Sequence, residues 1–180
     1  MQVTVDGFLG GQLRLAQPKT GYRAGIDPVL LAAACPAQSG QEVLELGCGV
    51  GVASLCLGRR VPGLALNGVE ILGEYAQIAR ENAARNDIEF DVRQGDVSAR
   101  PTPFFDRSFH HVIMNPPYFA AEASSISPEA GRASGRSEQV ALSHWVDMAA
   151  KRLRPKGYLT VIQRAERLPD LLAALEVCLG

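Results

Sequence analysis

Short, mostly apolar runs alternate along the chain with longer amphipathic ones. Glu42-Val43-Leu44-Glu45-Leu46, Leu64 to Glu70, Phe90 to Arg93, His110 to Met114 and Tyr158 to Gln163 each have the length and apolar content of a buried strand. Between and after them, helical spacing predicts helices near 51 to 60, through Tyr75, Ile78, Ala79 and Asn82, near 138 to 153, and from Leu168 to Cys178. Strand and helix in alternation predict an α/β fold with a parallel sheet covered by helices on both faces. Ahead of this core, residues 1–20 alternate polar and apolar positions around two turn signals, Asp6-Gly7 and Gly10-Gly11, with Leu13 and Leu15 on one side; that predicts a hairpin. Asp27-Pro28 predicts a short helix over Val29 to Ala34, with Asp27 capping it and Pro28 in its first turn. The one long polar connection, Ala120 to Ser137, has the length of a functional or disordered loop.

Composition narrows the class. With 180 residues, 47% hydrophobic and 21% charged, the chain is expected to form a single globular domain, 1–180, whose first twenty residues are the hairpin and whose remainder, 21–180, is the core. No run reaches the roughly 20 apolar residues of a membrane span and the start does not resemble a signal peptide, so a cytoplasmic protein with no membrane partner is expected. Cys35, Cys48, Cys56 and Cys178 match neither zinc-site nor disulfide-framework spacing and read as reduced, mostly buried thiols. His110-His111 makes a poor metal pair, because adjacent strand residues face opposite ways; no metal is expected. Eighteen basic against nineteen acidic residues leave a net charge of −1, so any nucleic-acid contact must come from a local patch. The basic concentrations are Arg132 and Arg136 in the long loop and the run Lys151, Arg152, Arg154 and Lys156. A run of that kind serves either as a solvated helix end or as a phosphate contact.

The chemistry is concentrated in two stretches. Val43-Leu44-Glu45-Leu46-Gly47-Cys48-Gly49-Val50-Gly51 places glycines at alternate positions after a strand, where the backbone can turn sharply, approach a ligand closely and present the free amides of the next helix. A nucleotide-like cofactor fits there, but the dinucleotide pattern G-x-G-x-x-G/A fails in either register. Glu70 closes the next strand about twenty residues on, where a carboxylate can accept both ribose hydroxyl protons. The second stretch, Asn115-Pro116-Pro117-Tyr118, follows the fourth strand at its carboxyl end. Hydrogen bonds from an exocyclic amine to the Asn115 side-chain oxygen and the Pro116 carbonyl would aim the nitrogen lone pair, the prolines restrict the backbone, and Tyr118 offers a stacking face.

Strand, acid and G-x-G-x-G resemble the cofactor motif of class I S-adenosylmethionine-dependent methyltransferases, and Asn115-Pro116-Pro117-Tyr118 matches their amino-group signature [DNS]-P-P-[YFW]. The front segment Gly10-Gly11-Gln12-Leu13 through Gln17-Pro18-Lys19-Thr20-Gly21-Tyr22-Arg23-Ala24-Gly25-Ile26-Asp27-Pro28 further resembles the bacterial tRNA(Val) adenine-N6 methyltransferases. The resemblance implies a Rossmann-like sheet of order 3-2-1-4-5 and S-adenosylmethionine as cofactor. It implies tRNA as partner and transfer to adenine N6 as the reaction. On this reading Asn115, Pro116, Pro117 and Tyr118 carry catalysis, while Tyr22, Arg23, Glu45, Gly47, Cys48, Gly49, Gly51, Glu70, Ile71, Asp96 and Asn115 bind the cofactor. Arg23 suits either the cofactor carboxylate or a structural ion pair, and Asp96 either the adenine amino group or a turn. Arg132 and Arg136 are the expected substrate contacts.

The family normally ends with an antiparallel strand pair, whereas this chain stops at Gly180 after the preceding helix, which implies a carboxyl-terminal truncation. Two other readings stay open: methylation of a glutamine side chain in release factors, which poses the same amide-nitrogen problem, and a binding module on the same fold without turnover.

Overall fold

The computed structural model describes residues 1–99, 102–117 and 141–179. Seven strands and five α-helices follow one another in these segments: β1 (Val3–Phe8), β2 (Leu13–Pro18), α1 (Asp27–Ala34), β3 (Glu42–Leu46), α2 (Val52–Arg60), β4 (Ala65–Glu70), α3 (Gly73–Arg85), β5 (Phe90–Gln94), β6 (Phe109–Met114), α4 (Leu142–Arg152), β7 (Leu153–Val161) and α5 (Leu168–Leu179). No helix among the described residues is long and apolar enough to cross a membrane.

Five strands form one parallel sheet in the order β5-β4-β3-β6-β7. Numbered within the core alone this is 3-2-1-4-5, the order the family resemblance implies. The apolar pattern of β3 shows why the sheet is buried on both faces. Val43 joins the core formed with Leu13, Leu15, Leu31, Leu55, Leu57 and Ile78, whereas Leu44 and Leu46 join Val112, Met114, Trp145, Val146 and Met148 on the other side. Successive side chains of a strand point to opposite faces, so a strand covered twice reads as a continuous apolar run. Glu45 lies on the Val43 side, facing α2, and its neighbour Leu46 is the last strand residue before the glycines.

The amino-terminal hairpin β1-β2 is antiparallel, pairing Val3 with Pro18 and Phe8 with Leu13. Its turn is the short 3-10 segment Leu9–Gly11; the other turn signal, Asp6-Gly7, lies inside β1. The hairpin is fastened to α3 by two asparagines. Asn82 Oδ1 accepts the Ala16 N–H at 2.7 Å and its Nδ2 donates to the Ala16 carbonyl, while Asn86 makes the same pair with Arg14. Four residues of helix advance about 6 Å and two residues of strand about 7 Å, so the two amides meet alternate strand residues as a neighbouring strand would. Asn82 Nδ2 also donates to the Val50 carbonyl, which ties hairpin, helix and glycine turn together.

Several boundaries move from the sequence expectation. α1 includes Asp27, and its N-cap is Ile26 with no side-chain cap bond; Pro28 sits in the first turn as expected. The last strand begins at Leu153 rather than Tyr158, because β7 bulges: between two paired positions it advances from Leu153 to Tyr158 while β6 advances from Phe109 to His111. The bulge holds Arg154 and Lys156, the latter with φ of 66°. The basic run is therefore not one surface. Lys151 pairs with Asp147 one turn back, buried Arg152 donates to the Phe104 and Phe105 carbonyls, and Arg154 binds Glu42 and the Ser108 carbonyl. These bonds fix it at the amino edge of the sheet, opposite the carboxyl edge where Gly47 and Asn115 leave their strands. Of the four thiols, Cys35, Cys48 and Cys56 are buried and Cys178 is half-buried, all of them free.

Candidate active site

The glycine turn is built by the end of β3 and its neighbour β4. The Gly47 and Cys48 amides both donate to the Val69 carbonyl, at 2.9 and 3.0 Å, which swings the chain off the sheet; Gly51 then bonds back to the Cys48 carbonyl at 2.8 Å before α2 begins. Gly47, Gly49 and Gly51 take φ of 68°, 54° and 87°, a region L side chains rarely adopt. Their surroundings differ. A Cβ on Gly47 would lie 2.7 Å from the Trp145 ring and one on Gly51 would lie 3.1 Å from Phe90, whereas nothing stands within 4 Å of such an atom on Gly49. Packing therefore adds to the backbone demand at Gly47 and Gly51, whereas at Gly49 the left-handed φ alone calls for glycine.

A solvent-open cleft lies here, and Tyr22, Glu45, Gly47, Cys48, Gly49 and Asn115 all line it. Sequence reasoning had not singled out the apolar wall formed by Ala24, Pro28, Val52 and Ala53, whose residue types carry no chemical signal.

Two carboxylates organise the turn. Glu45 is buried, and its Oε2 accepts the Ser54 N–H at 3.0 Å together with the Ser54 hydroxyl. Ser54 is in the first turn of α2, so Glu45 satisfies an amide that has no partner within the helix. Burial pushes the Glu45 carboxyl up to about 8, the charge of Glu70 adds to the rise, and the two Ser54 bonds oppose it. Glu70 accepts the Gly49 N–H on Oε2 at 2.8 Å and the Leu72 N–H on Oε1 at 2.9 Å. Burial raises its carboxyl too, against the pull of the Leu72, Gly49 and Ile71 amides. Each Glu70 oxygen keeps a second lone pair, the acceptor set a vicinal diol requires.

The remaining candidate residues fall in different places. Arg23 donates to the Pro18 carbonyl, the Thr4 hydroxyl and Asp6 Oδ2, the last at 2.6 Å, and is not part of the cleft wall. Its structural reading, an ion pair holding the hairpin, is the one observed. The Gln17 side chain completes that lock, donating to Asp6 and accepting the Ala24 N–H. Neighbouring Tyr22 lines the cleft beside this lock. Asp96 uses Oδ1 in a local turn, accepting the Ser98 amide and hydroxyl, each at 2.7 Å. The Ile71 carbonyl accepts from the Gln94 side chain at 3.2 Å. Gly51, Glu70, Ile71 and Asp96 lie beside the cleft's glycine turn or along the same sheet edge rather than in its wall. Tyr118, Arg132 and Arg136 lie outside the described residues.

Asn115 follows the last residue of β6, and its Oδ1 is buried without a hydrogen-bond partner among the described residues. A buried acceptor without a partner is costly, and this one belongs to a residue of the cleft wall. The next carbonyls, of Pro116 and Pro117, lie 3.3 and 3.4 Å from Gln163 Nε2, a contact that no motif signals.

Comparison with known proteins agrees with this geometry. Residues 24–176 match the family described as the methyltransferase small domain. A tRNA1(Val) (adenine(37)-N6)-methyltransferase of Porphyromonas gingivalis is 33% identical over 175 residues, which are 92% of this chain and 68% of the relative. One of the same name from Erwinia tasmaniensis is 31% identical over 173 residues, 93% of this chain and 69% of the relative. The solved structure of a predicted O-methyltransferase from Agrobacterium tumefaciens superposes with a TM-score of 0.63 at 25% identity, covering 83% of this chain and 66% of that one. The chain thus spans about two thirds of the length of the proteins it matches. Alternating left-handed glycines after an acid-bearing strand, a carboxylate closing the next strand and a family match over most of the sequence lead to one assignment: the chain belongs to the methyltransferase small-domain family of class I S-adenosylmethionine-dependent methyltransferases.

Proposed function

We propose that the protein transfers a methyl group to an exocyclic amine and that the acceptor is adenine N6 in tRNA. The observation that carries the chemical part is Asn115 Oδ1, buried without a partner among the described residues, on a residue of the cleft wall that precedes Pro116 in sequence. An exocyclic amine is a poor nucleophile because its lone pair is delocalised into the ring. Two acceptors that take its two N–H groups favour a pyramidal nitrogen with the lone pair free, and no strong base is needed. The electrophile, when bound, is the methyl group on the cofactor sulfonium. Glu70 supplies acceptors for the ribose, the glycine turn lets the backbone approach the methionine part, and Tyr22 lines the cleft. The tRNA part rests on the names of the relatives.

The test is methyl transfer from labelled cofactor to total tRNA and, in parallel, to release factor, followed by nucleoside and peptide analysis. Label is expected in N6-methyladenosine. Asn115→Ala should lower turnover by roughly 100-fold or more, the scale of a lost transition-state hydrogen bond, while cofactor affinity stays within about twofold. Label in glutamine would move the acceptor to protein, and full turnover in Asn115→Ala would reject the mechanism.

A further inference from the structure

Pro116 and Pro117 have no N–H, so the chain after β6 cannot be tied down through the amides of these two residues. The sheet ladder reaches only as far as the Ile162 N–H on the Met114 carbonyl, at 3.1 Å. Beyond that point the pyrrolidine rings fix φ, and the ring of Pro117 also confines ψ of Pro116 to the extended region, which still leaves the Pro116 carbonyl a range of about 40°. The acceptor pair invoked for the amine includes the Pro116 carbonyl, so a donor from elsewhere in the fold would narrow that range to one direction.

Gln163, two residues past the end of β7, supplies it. Its Nε2 lies 3.3 Å from the Pro116 oxygen and 3.4 Å from the Pro117 oxygen, and its Oε1 accepts the Arg164 N–H at 2.9 Å. The bond from Arg164 sets which end of the side-chain amide faces the prolines. A carbonyl oxygen has two lone pairs, so the bond from Gln163 leaves Pro116 able to accept from a substrate. We propose that Gln163 is a positioning residue of the amino-group site: its side-chain amide fixes the direction of the Pro116 carbonyl and so aims the acceptor pair that Asn115 Oδ1 completes. This rests on the reading of the site given under Proposed function. Gln163 does not touch the reacting atoms; it acts through Pro116.

The test compares Gln163→Ala and Gln163→Glu with the wild-type chain on the tRNA acceptor. Gln163→Ala is expected to lower kcat about tenfold to a hundredfold, the cost of a misdirected group rather than a missing one, with KM and cofactor affinity within about twofold. In the cofactor-free protein, loss of the donor should move the carbon-13 carbonyl resonances of Pro116 and Pro117 upfield. Gln163→Glu keeps the size but turns a carboxylate toward two carbonyls. Its activity relative to wild type should rise as pH falls and the neutral carboxyl O–H becomes a donor, a dependence that a filler of space would not show. An unchanged kcat in Gln163→Ala, or a Gln163→Glu to wild-type ratio flat with pH, overturns the inference while wild-type transfer to the amine stands. Wild-type protein that methylates no amino group under the same conditions overturns the underlying reading and this inference with it.

Discussion

Removing the Glu70 carboxylate tests the ribose assignment, and the structure shows that a simple loss of affinity is not enough. Both oxygens already accept a backbone amide, from Gly49 and Leu72, and each keeps one lone pair for a ribose hydroxyl. The side chain is only 7% exposed, so solvent screens these bonds little. A hydrogen bond to a charged acceptor contributes about 1.5–3 kcal/mol. Two of them, offset by the water the ribose gives up, put the loss in Glu70→Ala at about 2–3 kcal/mol, or roughly 30-fold to 150-fold weaker binding of the cofactor or its demethylated product. The same substitution also strips the Gly49 and Leu72 amides of their acceptor, which loosens the glycine turn and weakens binding for an unrelated reason. A double-mutant cycle separates the two. Binding of S-adenosylhomocysteine and of its 2′-deoxy analogue to both proteins is measured by calorimetry, with the emission of Trp145, the only tryptophan, as a second signal from its place against Gly47. If Glu70 holds the ribose, the missing hydroxyl costs the wild type at least about 1.5 kcal/mol and the variant almost nothing. Losses that add, with a coupling under about 0.5 kcal/mol, would show that Glu70 shapes the turn and does not touch the sugar.

Two further outcomes follow from the site's charges. Since burial lifts the Glu45 carboxyl to about 8, the folded chain keeps a proton that the unfolded chain loses near its ordinary value; stability falls as pH rises through the window between them, by up to about 1.4 kcal/mol per pH unit. Glu45→Gln keeps an acceptor for Ser54 and removes that slope, so its unfolding free energy in urea should gain on the wild type steadily from pH 5 to pH 8; parallel curves would place the carboxyl in its ordinary range. Arg23 and Asp6 form an ion pair that locks the hairpin, so Arg23→Met and Asp6→Asn should lower the melting temperature by similar small amounts and leave cofactor affinity within about twofold. A tenfold loss of cofactor affinity in Arg23→Met alone would return this arginine to the cofactor carboxylate.

Much of this was legible in the sequence for local reasons. The five core strands, the helices between them and the left-handed demand at Gly47, Gly49 and Gly51 follow from apolar run length, period and glycine spacing, because those depend on neighbours a few residues away. The candidate cleft was legible for the same reason. Glu45, Gly47, Cys48, Gly49 and Asn115 sit on two contiguous motifs at the ends of adjacent strands, and parallel pairing brings strand ends together at one edge. Edges of elements were less legible. The 3-10 turn displaced the hairpin signal from Asp6-Gly7, and the bulge in β7 turned part of a basic run into bonds at the far edge of the sheet.

What the sequence determined by itself is the alternation of elements and the positions where the backbone must turn. Only the tertiary structure decided how side chains distant in sequence were used. Arg23 stands next to Tyr22 and could have faced the same ligand, but Asp6 and Thr4 on the hairpin draw it away. Asn82, Asn86 and Gln163 carry no motif, yet they hold the hairpin, the glycine turn and the proline carbonyls in place. The physical reason is that periodicity and backbone preference act over one or two turns of chain. The partner of a buried amide or guanidinium is chosen by whichever groups the folded core leaves without one, and burial makes an unpaired group costly.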